Sequence, residues 1–353
     1  MRVRPPPVEH SLTHNRTTCL MKAIAYHEYG SADVLKFEDV EKPVPKDNEV
    51  LIKVRAASVN PLDWRLMKGK PAILRLFFGL RKPRLGRPGV DAAGEVEAVG
   101  RNVTRFKPGD AVFGAFRGAF AEYACTDAGK VAIKPDKVTF EQAASSNVAG
   151  LTALQGLRDK GKIQAGSKVL VNGAAGGVGT FAVQIARAFG AHVTGVCSTR
   201  NLDLVRSIGA DEVIDYTRVD FTTSHERYDL ILNCVGNQTF SECRRVLNPD
   251  RRFIMVGGPH DPSLILLLAQ LTKASLLSLF GSQKAVMFIA KSSQDDLALL
   301  GELIATGKLT PVIDSRYSLS ETADAVSHLE EGHARGKVII EVAPAHESAR
   351  SAH

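Results

Sequence analysis

The chain has 353 residues, 44% of them hydrophobic and 24% charged, with a formal net charge of +7. At about 150 residues per domain this length fits two domains, and the composition excludes a wholly disordered or collagen-like chain. No apolar run approaches the roughly 18 residues of a membrane-spanning helix.

Five cysteines stand at positions 19, 125, 197, 234 and 243, none of them in a C-x-x-C pair. A sparse, odd set argues against a disulfide framework and for a reducing compartment, with a cytoplasmic address expected. Residues Met1 to Leu20 lack the apolar stretch of a secretory signal. They read as a disordered extension, as a weak transit peptide carrying Arg2, Arg4 and Arg16, or as sequence upstream of a true start at Met21. From Arg65 to Arg87 there are eight basic residues (Arg65, Lys68, Lys70, Arg75, Arg81, Lys82, Arg84, Arg87) and no acidic one. That window alone exceeds the net charge, so the remainder is close to neutral and nucleic-acid binding is not expected.

From Met21 the pattern is strand-rich. Lys22 to Tyr26, Glu49 to Arg55, Gly94 to Gly100 and Ala111 to Gly114 read as strands between Gly/Pro turns, which suggests a small irregular barrel or sandwich. Near Thr139 the pattern changes. Glu141 to Leu157 has helical spacing, and strands then alternate with helices. The strands are expected at Lys168 to Asn172, His192 to Val196, Glu212 to Ile214, Tyr228 to Cys234 and Arg252 to Val256. The helices are expected at Val178 to Phe189, Asn201 to Ile208 and Phe240 to Leu247. This alternation predicts an α/β domain with a parallel sheet covered on both faces. A helix over Leu297 to Thr306 and a strand over Val338 to Val342 follow, then a disordered tail from Pro344.

The run Val169-Leu170-Val171-Asn172-Gly173-Ala174-Ala175-Gly176-Gly177-Val178-Gly179 follows an apolar strand and opens a helix, the context in which a Gly-rich turn becomes specific for a dinucleotide. Ala175, Gly176, Gly177 and Val178 are positioned to approach a diphosphate with bare backbone, and Gly179 lets the helix pack on its strand. The uncapped N–H groups and the positive helix end then face the phosphates. An NAD site needs a carboxylate about 20 residues further on, to accept from the ribose 2′-hydroxyl. Here the next strand runs into Ser198-Thr199-Arg200, with no acid before Asp203. Hydroxyls and a guanidinium suit a 2′-phosphate, so NADPH is expected over NADH. The alternative for Arg200 is a solvated helix-start residue. Tyr216 either closes over the adenosine side or packs.

These residues resemble the medium-chain dehydrogenase/reductase superfamily, in its zinc-free, quinone-oxidoreductase-like branch. The resemblance runs from Met21 to Val342. It rests on Ala57 to Asp63, Gly89 to Gly94, Phe106 to Asp110, Val148 to Ala153 and the Gly-rich turn. The closing Gly332-His333-Ala334-Arg335-Gly336-Lys337-Val338 is similar to the reticulon-interacting mitochondrial oxidoreductases and their bacterial relatives. The resemblance implies a GroES-like catalytic domain, at 21–146 and 285–343, split around a Rossmann domain at 147–284, with a cleft between them and a homodimer. Zinc-dependent members carry Cys and His where this chain has Asn60 and Val90, and the four-cysteine lobe is missing, so no metal is expected.

Reduction of a quinone or an α,β-unsaturated carbonyl compound then needs hydrogen-bond donors and a proton source. Asn60 is the side-chain candidate for a donor, with a turn role before Pro61 as the alternative. Asp63 is expected to hold the loop. Relatives often carry Tyr two residues after that Asp, where this chain has Arg65, so the pattern assigns no proton donor. Thr152 resembles a threonine beside the nicotinamide, next to Asn147 where Pro is more usual. Gly257 with Gly258, Phe288 and Lys337 resemble cofactor-lining positions, each with packing as the alternative.

The basic window interleaves with Ile73 to Leu80. It fits contact with an anionic membrane, steering of an anionic substrate or NADPH, or a solvated loop packed on its own domain. Leu264 to Phe280 reads as core or subunit packing. The expected activity is NADPH-dependent hydride transfer to a quinone or enone. Alcohol/aldehyde interconversion and a non-catalytic NADPH-binding scaffold are the alternatives.

Overall fold

The computed structural model describes residues 19–72, 74–84, 86–257, 272–274, 277–279 and 281–342. Most of the N-terminal extension, Gly258, the apolar stretch from Leu264 and the tail from Pro344 lie outside or largely outside the described residues.

The chain begins with β1 (Leu20–Ala25) and β2 (Lys36–Glu41), an antiparallel pair. It continues into the long β3 (Glu49–Val59) and then α1 (Pro61–Lys68) and α2 (Leu74–Phe78). Proline at the first position of α1 supplies a φ already suited to a helix, and Gly69 ends it with a left-handed φ of 58°. Next come β4 (Asp91–Val99), β5 (Ala111–Ala115), β6 (Tyr123–Asp127) and β7 (Val131–Ile133). Thr139 and Gln142 cap each other's backbone at the start of α3 (Phe140–Gln155).

The α/β unit follows as β8 (Lys168–Asn172), α4 (Gly177–Ala188), β9 (His192–Cys197), α5 (Leu202–Ser207), β10 (Glu212–Asp215), β11 (Tyr228–Asn233), α6 (Phe240–Cys243), β12 (Leu247–Met255) and β13 (Lys284–Met287). The chain then adds α7 (Gln294–Ala305), β14 (Ile313–Ser318), α8 (Thr322–Glu330) and β15 (Lys337–Glu341).

β8 to β13 form one parallel sheet in the order β10-β9-β8-β11-β12-β13. Val169, Leu170 and Val171 of β8 are fully buried, as both faces are covered. The chain order reverses between β8 and β11, and the crevice beyond their carboxyl ends is where such sheets take ligands. The first unit is a seven-stranded sheet in the order β14-β15-β3-β4-β5-β7, with β6 also paired to β3. So β14 and β15 return to complete the β-rich unit, as the split organisation requires. One expected boundary shifts: β13 pairs with β12, so the α/β sheet runs past residue 284 to Met287.

The core explains the joint. α3 packs on α4, β4 and β5 alike. Its buried Ala149, Ala153 and Leu154 share one hydrophobic cluster with Phe113 and Ala93 of the β unit and Val169 and Phe181 of the α/β unit. A helix buried on two sides ties the units into a continuous core.

Candidate functional site

Antiparallel pairing brings three strand ends together. β3 runs against both β4 and β15, so Ser58 faces Asp91 and Val59 faces Val338. The residue after β3, the first of β4 and the first of β15 are Asn60, Asp91 and Lys337. α3 crosses this end and adds Asn147 and Val148. All four polar side chains are buried, at 1%, 0%, 3% and 2% exposure for Asn60, Asp91, Lys337 and Asn147.

Their hydrogen bonds close on one another. Lys337 Nζ donates to Asn60 Oδ1 at 2.6 Å and to the Val59 carbonyl at 3.3 Å, and lies 3.7 Å from Asp91 Oδ2. Asn60 Nδ2 donates to Asp91 Oδ2 at 3.0 Å and to the Ser58 carbonyl at 3.1 Å. Asp91 Oδ1 accepts from Asn147 Nδ2 at 2.8 Å and from the Val148 N–H at 3.1 Å. The expectation that Asn60 donates to a substrate carbonyl is corrected: both amide hydrogens are held inside this network. Asn60 orients Lys337 and Asp91 instead. Burial pushes Asp91 up and Lys337 down, and each opposes the other's shift across the 3.7 Å between them.

Asp63 sits one layer out. Its Oδ2 accepts the Asn60 N–H at 2.8 Å and its Oδ1 the Gly89 N–H at 3.2 Å, the loop-holding arrangement expected of it. Burial raises its pKa to about 7, against the lowering pull of the Asn60 N–H. Asp63 also borders a cavity of about 90 Å³ lined by Tyr26, Leu66 and Phe116, with Arg87 and Arg117 beside them. Thr152 is half-buried on α3, and its hydroxyl takes no hydrogen bond among the described residues.

The Gly-rich turn reaches the same place. Gly336 N donates to the Ala175 carbonyl at 2.9 Å and Gly176 bridges to Gly336, so the residue before Lys337 is joined to the turn. Gly176 is the N-cap of α4 with no side-chain cap. The first N–H groups of the helix have no acceptor within it. A Cβ at Gly176 would meet only Gly173 O, at 3.5 Å, so this side is open. A Cβ at Gly177 would press on Lys337 Cδ at 3.3 Å, and one at Gly179 would lie 2.0 Å from Gly173 O. Bare backbone donors on an open face fit a diphosphate. Gly179→Ala is therefore expected to lower stability by about 1–3 kcal/mol through overpacking and to weaken dinucleotide binding, measured by thermal melting and titration calorimetry.

At the end of β9, Ser198 Oγ accepts from Asn201 Nδ2 at 3.3 Å, and Arg200 donates to the His333 carbonyl at 2.9 Å. Arg200 thus spans from the end of β9 to the Gly332 to Gly336 loop. Tyr216 is 56% exposed. Asp215 beside it is consumed by Thr199 Oγ1 and Thr217, and the Thr199 hydroxyl leads in holding its carboxyl below the usual range. Arg218, which sequence reasoning missed, approaches Asp215 at 3.6 Å and adds a second guanidinium here.

Two of the expected cofactor-lining residues make packing contacts. A Cβ at Gly257 would lie 1.8 Å from the Cys234 carbonyl oxygen, so glycine is required by close backbone approach. Phe288 packs against Gly156 at the end of α3 and joins the shared core. Asp91 and Asn147 were also missed as parts of the site. The available signal was a carboxylate opening a strand within an apolar context, Val90-Asp91-Ala92-Ala93.

No group of three or more His, Cys, Asp or Glu side chains able to hold a metal comes together among the described residues. The donor set at the strand ends is an amide, a carboxylate and an ammonium, and a fixed cation beside Asp91 does not fit a zinc ion.

Residues 46–136 match the family described as alcohol dehydrogenase GroES-like domain, and residues 208–340 match the one described as zinc-binding dehydrogenase. The chain is 36% identical to the chloroplast envelope quinone oxidoreductase homolog of Arabidopsis thaliana, over 91% of this chain and 98% of that protein. It is 34% identical to the NADPH-dependent alkenal/one oxidoreductase of the same plant, over 91% of this chain and 79% of that one. The solved quinone oxidoreductase of Coxiella burnetii superposes with a TM-score of 0.81 at 30% identity, covering 92% of this chain and all of that one. With its split GroES-like unit, its parallel dinucleotide-type sheet and these relatives, the chain belongs to the quinone-oxidoreductase-like branch of the medium-chain dehydrogenase/reductase superfamily.

Proposed function

We propose that this protein is a zinc-independent, NADPH-dependent oxidoreductase that reduces a quinone or an α,β-unsaturated carbonyl compound. The observation that carries the reading is the joint at Gly176 and Gly336, where the open, uncapped start of α4 meets the Lys337–Asn60–Asp91 network. Bound NADPH supplies the hydride. The chain's part is to bind the diphosphate at Gly176 to Val178, to fix a cation at the cleft and to keep water from the buried network. Hydride addition leaves negative charge on the carbonyl oxygen, and a fixed cation with free hydroxyl donors stabilises such charge. Lys337 supplies the first, and the Thr152 hydroxyl makes no hydrogen bond among the described residues. The two plant relatives, one bearing a quinone and one an alkenal/one name, support both substrate classes.

The nucleotide preference rests on Ser198, Arg200 and Arg218. A guanidinium–phosphate hydrogen bond contributes about 1.5–3 kcal/mol. Titration calorimetry is expected to give tighter binding of NADPH than of NADH, and Arg200→Ala to narrow that preference by about tenfold or more. Tighter NADH binding by the unaltered protein would overturn the preference. Oxidation of NADPH with a panel of quinones and enones, followed by absorbance, tests turnover. Binding without turnover on all of them would leave a scaffold in place of an enzyme.

A further inference from the structure

We propose that the surface formed by residues 75–84 docks on an anionic lipid bilayer. Among the eight bases of the Arg65 to Arg87 window, several are engaged inward. Arg75 stacks over the Tyr29 ring at 4.6 Å and donates to the carbonyls of Gly69 and Lys68. Lys68 pairs with Glu330, and Arg65 and Lys70 also have partners. Arg81, Lys82 and Arg84 are exposed, and no ion pair involves them among the described residues. No acidic residue stands between Asp63 and Asp91 in the sequence.

The same turn carries apolar side chains outward. Leu76, Phe77 and Leu80 are 65%, 72% and 67% exposed. Single exposed apolar residues are ordinary, but three within five positions form a patch. The patch is held in shape: Tyr29 donates its hydroxyl to the Gly79 carbonyl at 2.6 Å, and the Arg84 N–H donates to the Phe78 carbonyl at 2.7 Å. A nucleic acid would engage the cations and leave Leu76, Phe77 and Leu80 without a partner. The bilayer interface accepts both: phenylalanine and leucine enter the acyl boundary while lysine and arginine stay among the phosphates. The charge complementarity is to anionic lipid. The segment also borders the Tyr26 cavity through Phe78 and Pro83. The proposal does not rest on the redox reading.

The test is co-sedimentation of the full chain with vesicles of phosphatidylcholine alone and of phosphatidylcholine with phosphatidylserine. Binding is expected only with the anionic lipid, falling about tenfold when the salt is raised or when Arg81→Glu, Lys82→Glu and Arg84→Glu are combined. Leu76→Ser with Phe77→Ser should also release the protein, with an unchanged melting temperature in both variants. Absence of sedimentation, equal sedimentation with neutral vesicles, or binding indifferent to both variants would overturn the proposal. So would a serine variant that elutes as a smaller species from a parent that never binds lipid, since the patch would then join two copies of the chain.

Discussion

Lys337→Met is expected to lower folding stability by about 3–5 kcal/mol, the cost of leaving one member of a buried ion pair alone. Methionine keeps most of the stem that packs by Gly177 but removes the ammonium 3.7 Å from Asp91. Asp91 stays fully buried, and Asn60 Oδ1 and the Val59 carbonyl lose their donor. The deficit should depend on pH with a definite sign. Without the lysine, the folded-state pKa of Asp91 rises further above its unfolded value, so the folded state takes up a proton the unfolded state releases. Stability of the variant therefore falls as pH rises above about 4, and its deficit against the parent is smallest in mild acid.

A second substitution separates this cause from simple loss of packing. In Lys337→Met with Asp91→Asn the buried charge is gone. Asn60 can then turn its amide so that Oδ1 accepts from the amide introduced in place of the carboxylate. At least half of the lost stability should return, read by urea unfolding, and the added pH dependence should vanish. Two deficits that simply add would mean that Lys337 and Asp91 do not act as a pair.

The elements legible in the sequence are those whose pattern is local. β8, flanked by polar residues and fully apolar inside, lies at Lys168–Asn172 as its pattern predicts. The turn after it carries its own glycine spacing, so α4 begins within one residue of the expected start. The helix expected over Phe240 to Leu247 is one α-turn at Phe240–Cys243 continued by a 3-10 turn at Arg244–Val246, and β12 takes over at Leu247. The polar network was not legible. Lys337 and Asn60 are 277 residues apart, and only the antiparallel register of β3, β4 and β15 sets them side by side. Asn60 looked like a free donor because sequence shows a residue's chemistry and hides its partners. Asn147 looked like a departure from a pattern, yet it is what meets Asp91 Oδ1. The Gly-rich turn was legible because a short peptide carries its whole glycine spacing. The residues that face it come from the ends of distant strands.

Asp63→Asn is expected to change how stability varies with pH. Burial raises the folded-state pKa of Asp63 from 3.8 to about 7. Between about pH 4 and 7 the folded state therefore holds a proton that the unfolded state has released. The stability this residue contributes is complete below pH 4 and is lost as pH rises towards 7. A rise of about three on the pH scale, at about 1.4 kcal/mol for each, amounts to about 4 kcal/mol. Asparagine does not titrate, so this component disappears in the variant. Its single acceptor oxygen can serve only one of the Asn60 and Gly89 N–H groups, which costs about 1–3 kcal/mol at every pH. The variant should thus be the less stable protein at pH 4 and below and the more stable one by pH 8. Urea unfolding at a series of pH values reads this directly, as two stability curves that cross. Curves that stay parallel across that range would mean that Asp63 is charged in the folded protein throughout, and that the two N–H groups outweigh its burial.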